Sequence, residues 1–287
     1  MKLDHLDESK NVEDRRGARG GMVRGGQIGG LGLIVVVIAA LLFGVDPRQL
    51  IDQSGMQPSG SATDTGQPYQ ESQDEAVLRE RSAKVLRSTE IVWNDYFGKN
   101  GQQYPAPGLV LYSGSDQSAC GAAQAGMGPF YCPADQKIYI DLSFFAELSQ
   151  RFGAPGDFAQ AYVIAHEVGH HIQTILGISG KVNQARMRLS QAEGNQLSVR
   201  LELQADCIAG VWARREDANN RSLEPGDIQE ALGAASAVGD DRLQKQATGS
   251  INPESFTHGT AEQRARWFRT GFDSGTIEAC DTFSKEP

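Results

Sequence analysis

Two histidines four residues apart, His166 and His170, with Glu167 beside the first, stand in the stretch Val163–Leu176, V-I-A-H-E-V-G-H-H-I-Q-T-I-L. On a helix, positions i and i+4 lie one turn apart on the same face, so both imidazoles can converge on one point. Neutral imidazoles are ligands that zinc takes, and H-E-x-x-H is a spacing that presents two of them. A carboxylate next to the first ligand can take a proton from a metal-acidified water, which is the chemistry of hydrolysis. Val163, Ile164, Val168, Ile172 and Ile175 surround the motif and set it inside a fold.

A hydrolytic zinc takes three protein ligands and keeps one position open. Position 176, where a metzincin carries its third histidine, is Leu176, and Gly259-Thr260-Ala261-Glu262-Gln263 lacks the aspartate of a G-T-x-x-D ligand. What remains is a glutamate on a second helix, Leu197–Trp212, where Glu202 and Asp206 stand four apart among Leu201, Leu203, Ala205 and Ile208. Two carboxylates beside an apolar stripe need a positive partner, and a metal with its imidazoles would be one. Glu202 is therefore expected on the zinc, with Asp206 behind it, accepting a hydrogen bond from the outer nitrogen of a ligating histidine. The competing reading pairs these carboxylates with Arg200 or Arg214 on a solvated face. A histidine that assists without binding metal is His171 or His258; Arg264 could serve instead, or could pair with an acidic ligand shell. His171 points about 100° away from His170 on an ideal helix. His258 precedes a helix start, from which it could donate to an oxyanion or act as a cap.

These residues need elements to hold them. Apolar positions predict a helix from Asp74 to Phe97, and Leu109–Tyr112 reads as a short strand. Phe130–Cys132 and Lys137–Asp141 read as a hairpin, and the second strand could offer its edge to an extended substrate. A short helix follows over Leu142–Phe152, then Asp157 caps the metal helix, which ends at Gly177. Lys181–Glu193 is polar and helical, Asp227–Gln246 reads as one helix, and Thr260 with Gln263 forms a capping box. The fold class is α+β: a mainly helical, zincin-like domain over residues 76–287 with a small antiparallel sheet.

The first eighty residues differ in character. Residues 25–45 carry no charge, which is the length of one membrane-crossing helix. Arg15, Arg16, Arg19 and Arg24 precede that stretch and Arg48 alone follows it closely, so residues 1–24 are expected in the cytoplasm and the domain outside, in the periplasm. Residues 46–75, rich in Gln, Ser, Gly and Thr, read as a flexible tether. All four cysteines follow the apolar stretch, and an even number outside the cytoplasm suggests two disulfides. Cys120 with Cys132, which bracket a short loop, and Cys207 with Cys280 are the preferred pairs. The net charge of −9, with no basic stripe, excludes nucleic acid as a partner.

Taken together, Asn11–Gly17 (N-V-E-D-R-R-G), Gly44–Pro47, Gly128–Pro133 (G-P-F-Y-C-P), the metal motif, Glu202–Trp212 and His258–Arg264 resemble the bacterial neutral zinc metallopeptidase family of the YpfJ type. H-E-x-x-H followed by E-x-x-x-D resembles the gluzincin pattern. The resemblance implies a membrane-anchored peptidase acting on peptide or protein through one zinc ion on His166, His170 and Glu202. Glu167 is the expected general base. The alternative is a membrane-tethered binding or scaffold protein whose zinc is structural.

Overall fold

The structure, a computed structural model, describes residues 1–17 and 69–284. The expected apolar span at 25–45 and residues 46–68 of the tether lie outside the described residues; the last residues of the expected tether, from Gln73, are the start of a helix. Among the described residues no helix is long and apolar enough to cross a membrane.

Helix α1, Gln73–Lys99, starts at a capping box in which Ser72 and Glu75 satisfy each other's backbone N–H. It buries Val85, Leu86, Val92, Trp93 and Phe97. Five strands follow: β2 Gly108–Tyr112, β3 Ser115–Ser118, β4 Gly121–Gln124, β5 Phe130–Cys132 and β6 Lys137–Asp141. An N-terminal strand, β1 Val12–Asp14, joins them. The remaining helices are α2 Ser143–Gln150, α3 Asp157–Ile175, α4 Ile178–Arg186, α5 Gln191–Asn220, α6 Asp227–Ala237, α7 Asp240–Thr248 and α8 Ala261–Ser274.

The main sheet is mixed, not antiparallel as expected, and runs β1-β2-β6-β5. β1 pairs parallel with β2 (Glu13 opposite Val110), and β2 pairs parallel with β6 (Val110 opposite Tyr139). Only β5 is antiparallel to β6, with Tyr131 opposite Ile138. The chain between β2 and β6 holds the β3–β4 hairpin and β5, and that crossover returns β6 in the same direction as β2. β6 therefore lies inside the sheet with both edges paired, and the outer strands are β1 and β5. Strand alternation divides the side chains: Leu109, Leu111, Ile138 and Ile140 face the helical core, while Val110, Tyr112 and Tyr139 cluster with Ala123 and Cys132 on the other side.

Residues 1–17, expected as part of a separate segment, belong to the same compact unit as residues 71–287. Leu3 enters the core, and Leu109 donates its N–H to the Asn11 carbonyl. Ser9 and Asn11 bond the buried Glu90 carboxylate of α1 at 2.5 and 2.7 Å. The Met1 amino group lies 3.0 Å from both Asp157 and Glu224. The segment is polar because its partners are buried polar groups far along the chain, which no local periodicity can reveal.

Two smaller expectations also change. Asp157 is the first residue of α3 and makes no cap bond; Glu230 of α6 accepts the Phe158 N–H at 3.0 Å instead. The helix expected over Asp227–Gln246 is two helices, broken at Gly239, where a Cβ would stand 2.4 Å from the Ala261 nitrogen at the start of α8. Both preferred disulfides are formed, Cys120–Cys132 and Cys207–Cys280.

Candidate metal centre

Helices α3 and α5 face each other across Gly169, where an added Cβ would lie 2.9 Å from the Ala205 carbonyl oxygen. That contact brings the two carboxylates of α5 against the histidines of α3. His166 Nε2 stands 3.2 Å from Glu202 Oε2, and His170 Nε2 stands 3.4 Å from Glu202 Oε1. One ligand atom from each of His166, His170 and Glu202 lies within 4.8 Å of the other two. Ligands about 2.0–2.2 Å from a tetrahedral zinc are about 3.3–3.6 Å apart, so this donor set fits the ion in type and, for both histidine–glutamate pairs, in spacing.

Each histidine is oriented from behind. His166 Nδ1 donates to Asp206 Oδ1 at 2.8 Å, and His170 Nδ1 donates to the Gln173 side-chain oxygen at 2.9 Å. Gln173 is held in turn by donating its amide to the Leu201 carbonyl at 2.7 Å. Both Nε2 atoms are thereby left to face Glu202. Glu167 is buried on α3 beside His166, and among the described residues no protein group hydrogen-bonds its carboxylate. Its lone pairs remain available to a water.

Asp206 has a second partner, and it settles which of the two expected roles Arg264 takes: it pairs with the acidic shell behind the site. Arg264 of α8 donates Nε to Oδ2 at 2.9 Å and Nη2 to Oδ1 at 3.0 Å, and the Tyr162 hydroxyl donates to Oδ1 at 2.5 Å. The positive partner of Asp206 is a guanidinium as well as an imidazole, and it does not wait for a metal. Arg200 bonds the Thr282 carbonyl, so the solvated-face pairing does not form there.

The three candidates for an assisting group are now separated. His171 is buried, with Nε2 donating to the Pro105 carbonyl at 2.6 Å and Nδ1 accepting from the Tyr131 hydroxyl at 3.0 Å. Burial lowers its pKa, against the Pro105 bond, and it serves to join α3 to β5. Arg264 is occupied behind the site. His258 is half-exposed, on a loop where a Cβ at Gly259 would lie 3.2 Å from Leu203 and Val199, neighbours of Glu202 on α5. The Glu202 charge acts on it.

The charges that the protein groups of the centre impose on one another follow from these contacts. Burial pushes the His166 pKa down, but Asp206 and Glu202 outweigh it and raise it to about 10. His170 is raised in the same way, against burial, chiefly by Glu202. Burial alone would raise the Glu202 and Asp206 carboxyls. The two histidines hold Glu202 well below the usual range, and Arg264 with His166 brings Asp206 to about 2. A metal entering this site displaces protons from imidazoles.

A family model described as putative neutral zinc metallopeptidase matches residues 1–283. The chain belongs to this family. It is 49% identical to an uncharacterized protein, YpfJ, of Escherichia coli K12 over 99% of both chains. It is 42% identical to an uncharacterized protein, Mb2605, of Mycobacterium bovis over 85% of both. No solved structure matches the chain. The family match includes the N-terminal residues that build β1, as well as the metal helix and α8. The residues missed by sequence reasoning are of two kinds. Tyr162 and Gln173 share the metal helix at i−4 and i+3 from the ligands they serve, a helical spacing that could have pointed to them. Asp240, which holds the His258 loop, carries no such signal.

Proposed function

We propose that the protein is a zinc-dependent endopeptidase that hydrolyses peptide bonds at His166, His170 and Glu202, with one ion. The observation that carries this reading is the convergence of those three side chains beside the unbonded carboxylate of Glu167. A zinc ion held there supplies Lewis acidity, acidifying a water and polarising a carbonyl. Glu167 takes the proton of the attacking water and delivers it to the leaving amine nitrogen. His258, on the loop beside Glu202, donates to the developing oxyanion. β5, the outer strand joined to α3 through Tyr131 and His171, is where an extended substrate adds by backbone hydrogen bonds. The two disulfides support a place outside the cytoplasm, and the uncharged residues 25–45 support attachment to the membrane.

The full-length chain tests this, since a fragment starting at α1 would lose β1. Purified protein should cleave a denatured protein, lose that activity to a chelator and regain it with zinc. Glu167→Gln should keep its metal while turnover falls by about 10²–10⁴-fold. Undiminished cleavage by that variant would refute the assignment of the base, and metal bound without any cleavage would favour a structural site.

A further inference from the structure

We propose that Arg264 is the positioning residue of the metal centre: it fixes the Asp206 carboxylate, and through it His166, before any metal arrives. This rests on the reading of His166, His170 and Glu202 as a metal site. The bonds from Arg264 Nε and Nη2 to the two Asp206 oxygens, 2.9 and 3.0 Å, are the paired bonds of a guanidinium fork. Such a fork sets the plane of a carboxylate, where a single ammonium would leave it free to turn. Asp206 Oδ1, held in that plane, meets His166 Nδ1 at 2.8 Å. An ionised carboxylate only accepts, so Nδ1 carries the hydrogen of this bond and Nε2 is the atom turned toward Glu202.

The guanidinium is itself over-determined. Nη1 donates to the Val238 carbonyl at the end of α6 at 3.3 Å, and Nη2 donates to the Tyr162 hydroxyl of α3 at 3.2 Å. Arg264 is 4% exposed and Asp206 is fully buried. Four elements thus meet at one ion pair: α3, α5, the end of α6 and the first turn of α8. The pair also explains how two carboxylates stand four apart on α5 without a metal. Asp206 is balanced by Arg264, while Glu202 is left for the metal. Without the arginine the Asp206 carboxylate keeps only the Tyr162 and His166 bonds, both on Oδ1, and can turn about them, so His166 is no longer held in one orientation.

The test measures metal affinity in the full-length chain by chelator competition, the visible absorption of bound Co²⁺, and the far-ultraviolet circular dichroism that reports folding. Arg264→Gln should weaken zinc binding by about 10–100-fold and alter the cobalt bands in a protein that remains folded. Arg264→Lys keeps the charge without the fork and should recover little of the loss. Arg264→Gln combined with Asp206→Asn should bind no more weakly than Asp206→Asn alone, because the arginine acts through the aspartate. Wild-type affinity and spectrum in folded Arg264→Gln overturn the proposal, as does additive loss in the double variant. If Arg264→Gln does not fold, Arg264→Lys decides, and full affinity there also overturns it. A wild-type protein that takes up neither zinc nor cobalt sinks the metal site itself, and this inference with it.

Discussion

Asp240 gathers three backbone N–H groups and a side chain onto one carboxylate. Its Oδ2 accepts from Thr257, His258 and Gly259 at 2.7, 2.6 and 3.0 Å, and its Oδ1 lies 3.2 Å from His258 Nδ1. The hydrogen bond that His258 donates to Asp240 raises the His258 pKa above 6.5, against burial, and Glu202 adds to the rise. The sign for activity follows. A histidine with a raised pKa stays protonated, and able to donate, until pH climbs through that raised value. A bound cation opposes the effect but acts on wild type and variant alike. Asp240→Asn should therefore move the alkaline fall of kcat/KM to lower pH, and a full pH–rate profile of the two proteins would show it. Coincident alkaline limbs would mean that His258 does not donate in the reaction. At this scale the candidate site was largely readable: His166, Glu167, His170, Glu202 and Asp206 are placed by helical spacing, and spacing survives folding. Arg264 was expected to assist or to pair with the acidic shell without Asp206 being singled out, and Asp240 was not expected at all, because they meet Asp206 and His258 from other elements, 58 and 18 residues away.

Helices α5 and α8 approach more closely than side chains allow, and two glycines make that possible. A Cβ at Gly271 would stand 1.8 Å from the Cys207 carbonyl oxygen, and one at Gly210 would stand 2.0 Å from that of Phe268. In both cases the obstacle is backbone, which cannot swing aside. Cys207 follows Asp206, so the crossing that these glycines permit is also what carries Arg264 to its carboxylate. Gly271→Ala should destabilise the protein by at least about 1–3 kcal/mol through overpacking, read from urea unfolding, and weaken zinc binding as well. Gly233 gives the contrast: it lies inside α6 with open space around its Cα, so Gly233→Ala should stabilise by about 0.4–1 kcal/mol. Equal unfolding midpoints for the two variants would count against this packing. The helices themselves were legible in the sequence, since apolar spacing and caps such as Thr260 with Gln263 are local. The sheet order was not, because Val12–Asp14 pairs with a strand about a hundred residues away, and its short polar sequence shows no strand pattern. The break at Gly239 was hidden for the same reason: what stops the helix is the distant start of α8.

For the whole molecule the packing of the N-terminus has a topological consequence. β1 pairs with β2, Ser9 and Asn11 satisfy a buried carboxylate, and Arg16 meets Glu71 at 2.6 Å, so residues 17 and 71 leave and re-enter one unit close together. A single crossing by residues 25–45 would put β1 and the domain on opposite faces of a membrane. The edge of β2 would then be unpaired, and Glu90 would lose two of its donors. The arginine-rich flank argues for that separation, the packing argues against it, and the packing involves more interactions, several of them buried. Lys10 and Glu262 are both exposed, one on each part, and all four native cysteines are bonded in pairs. Full-length Lys10→Cys and Glu262→Cys proteins should therefore react alike with a membrane-impermeant maleimide on intact, outer-membrane-permeabilised cells. Both label if the unit is outside, and neither labels until the inner membrane is opened if it is inside. Labelling of position 262 but not 10 would restore the single crossing and dissolve the pairing of β1 with β2. In that case deletion of residues 1–17 should leave urea stability unchanged, whereas the packing described here predicts a large loss.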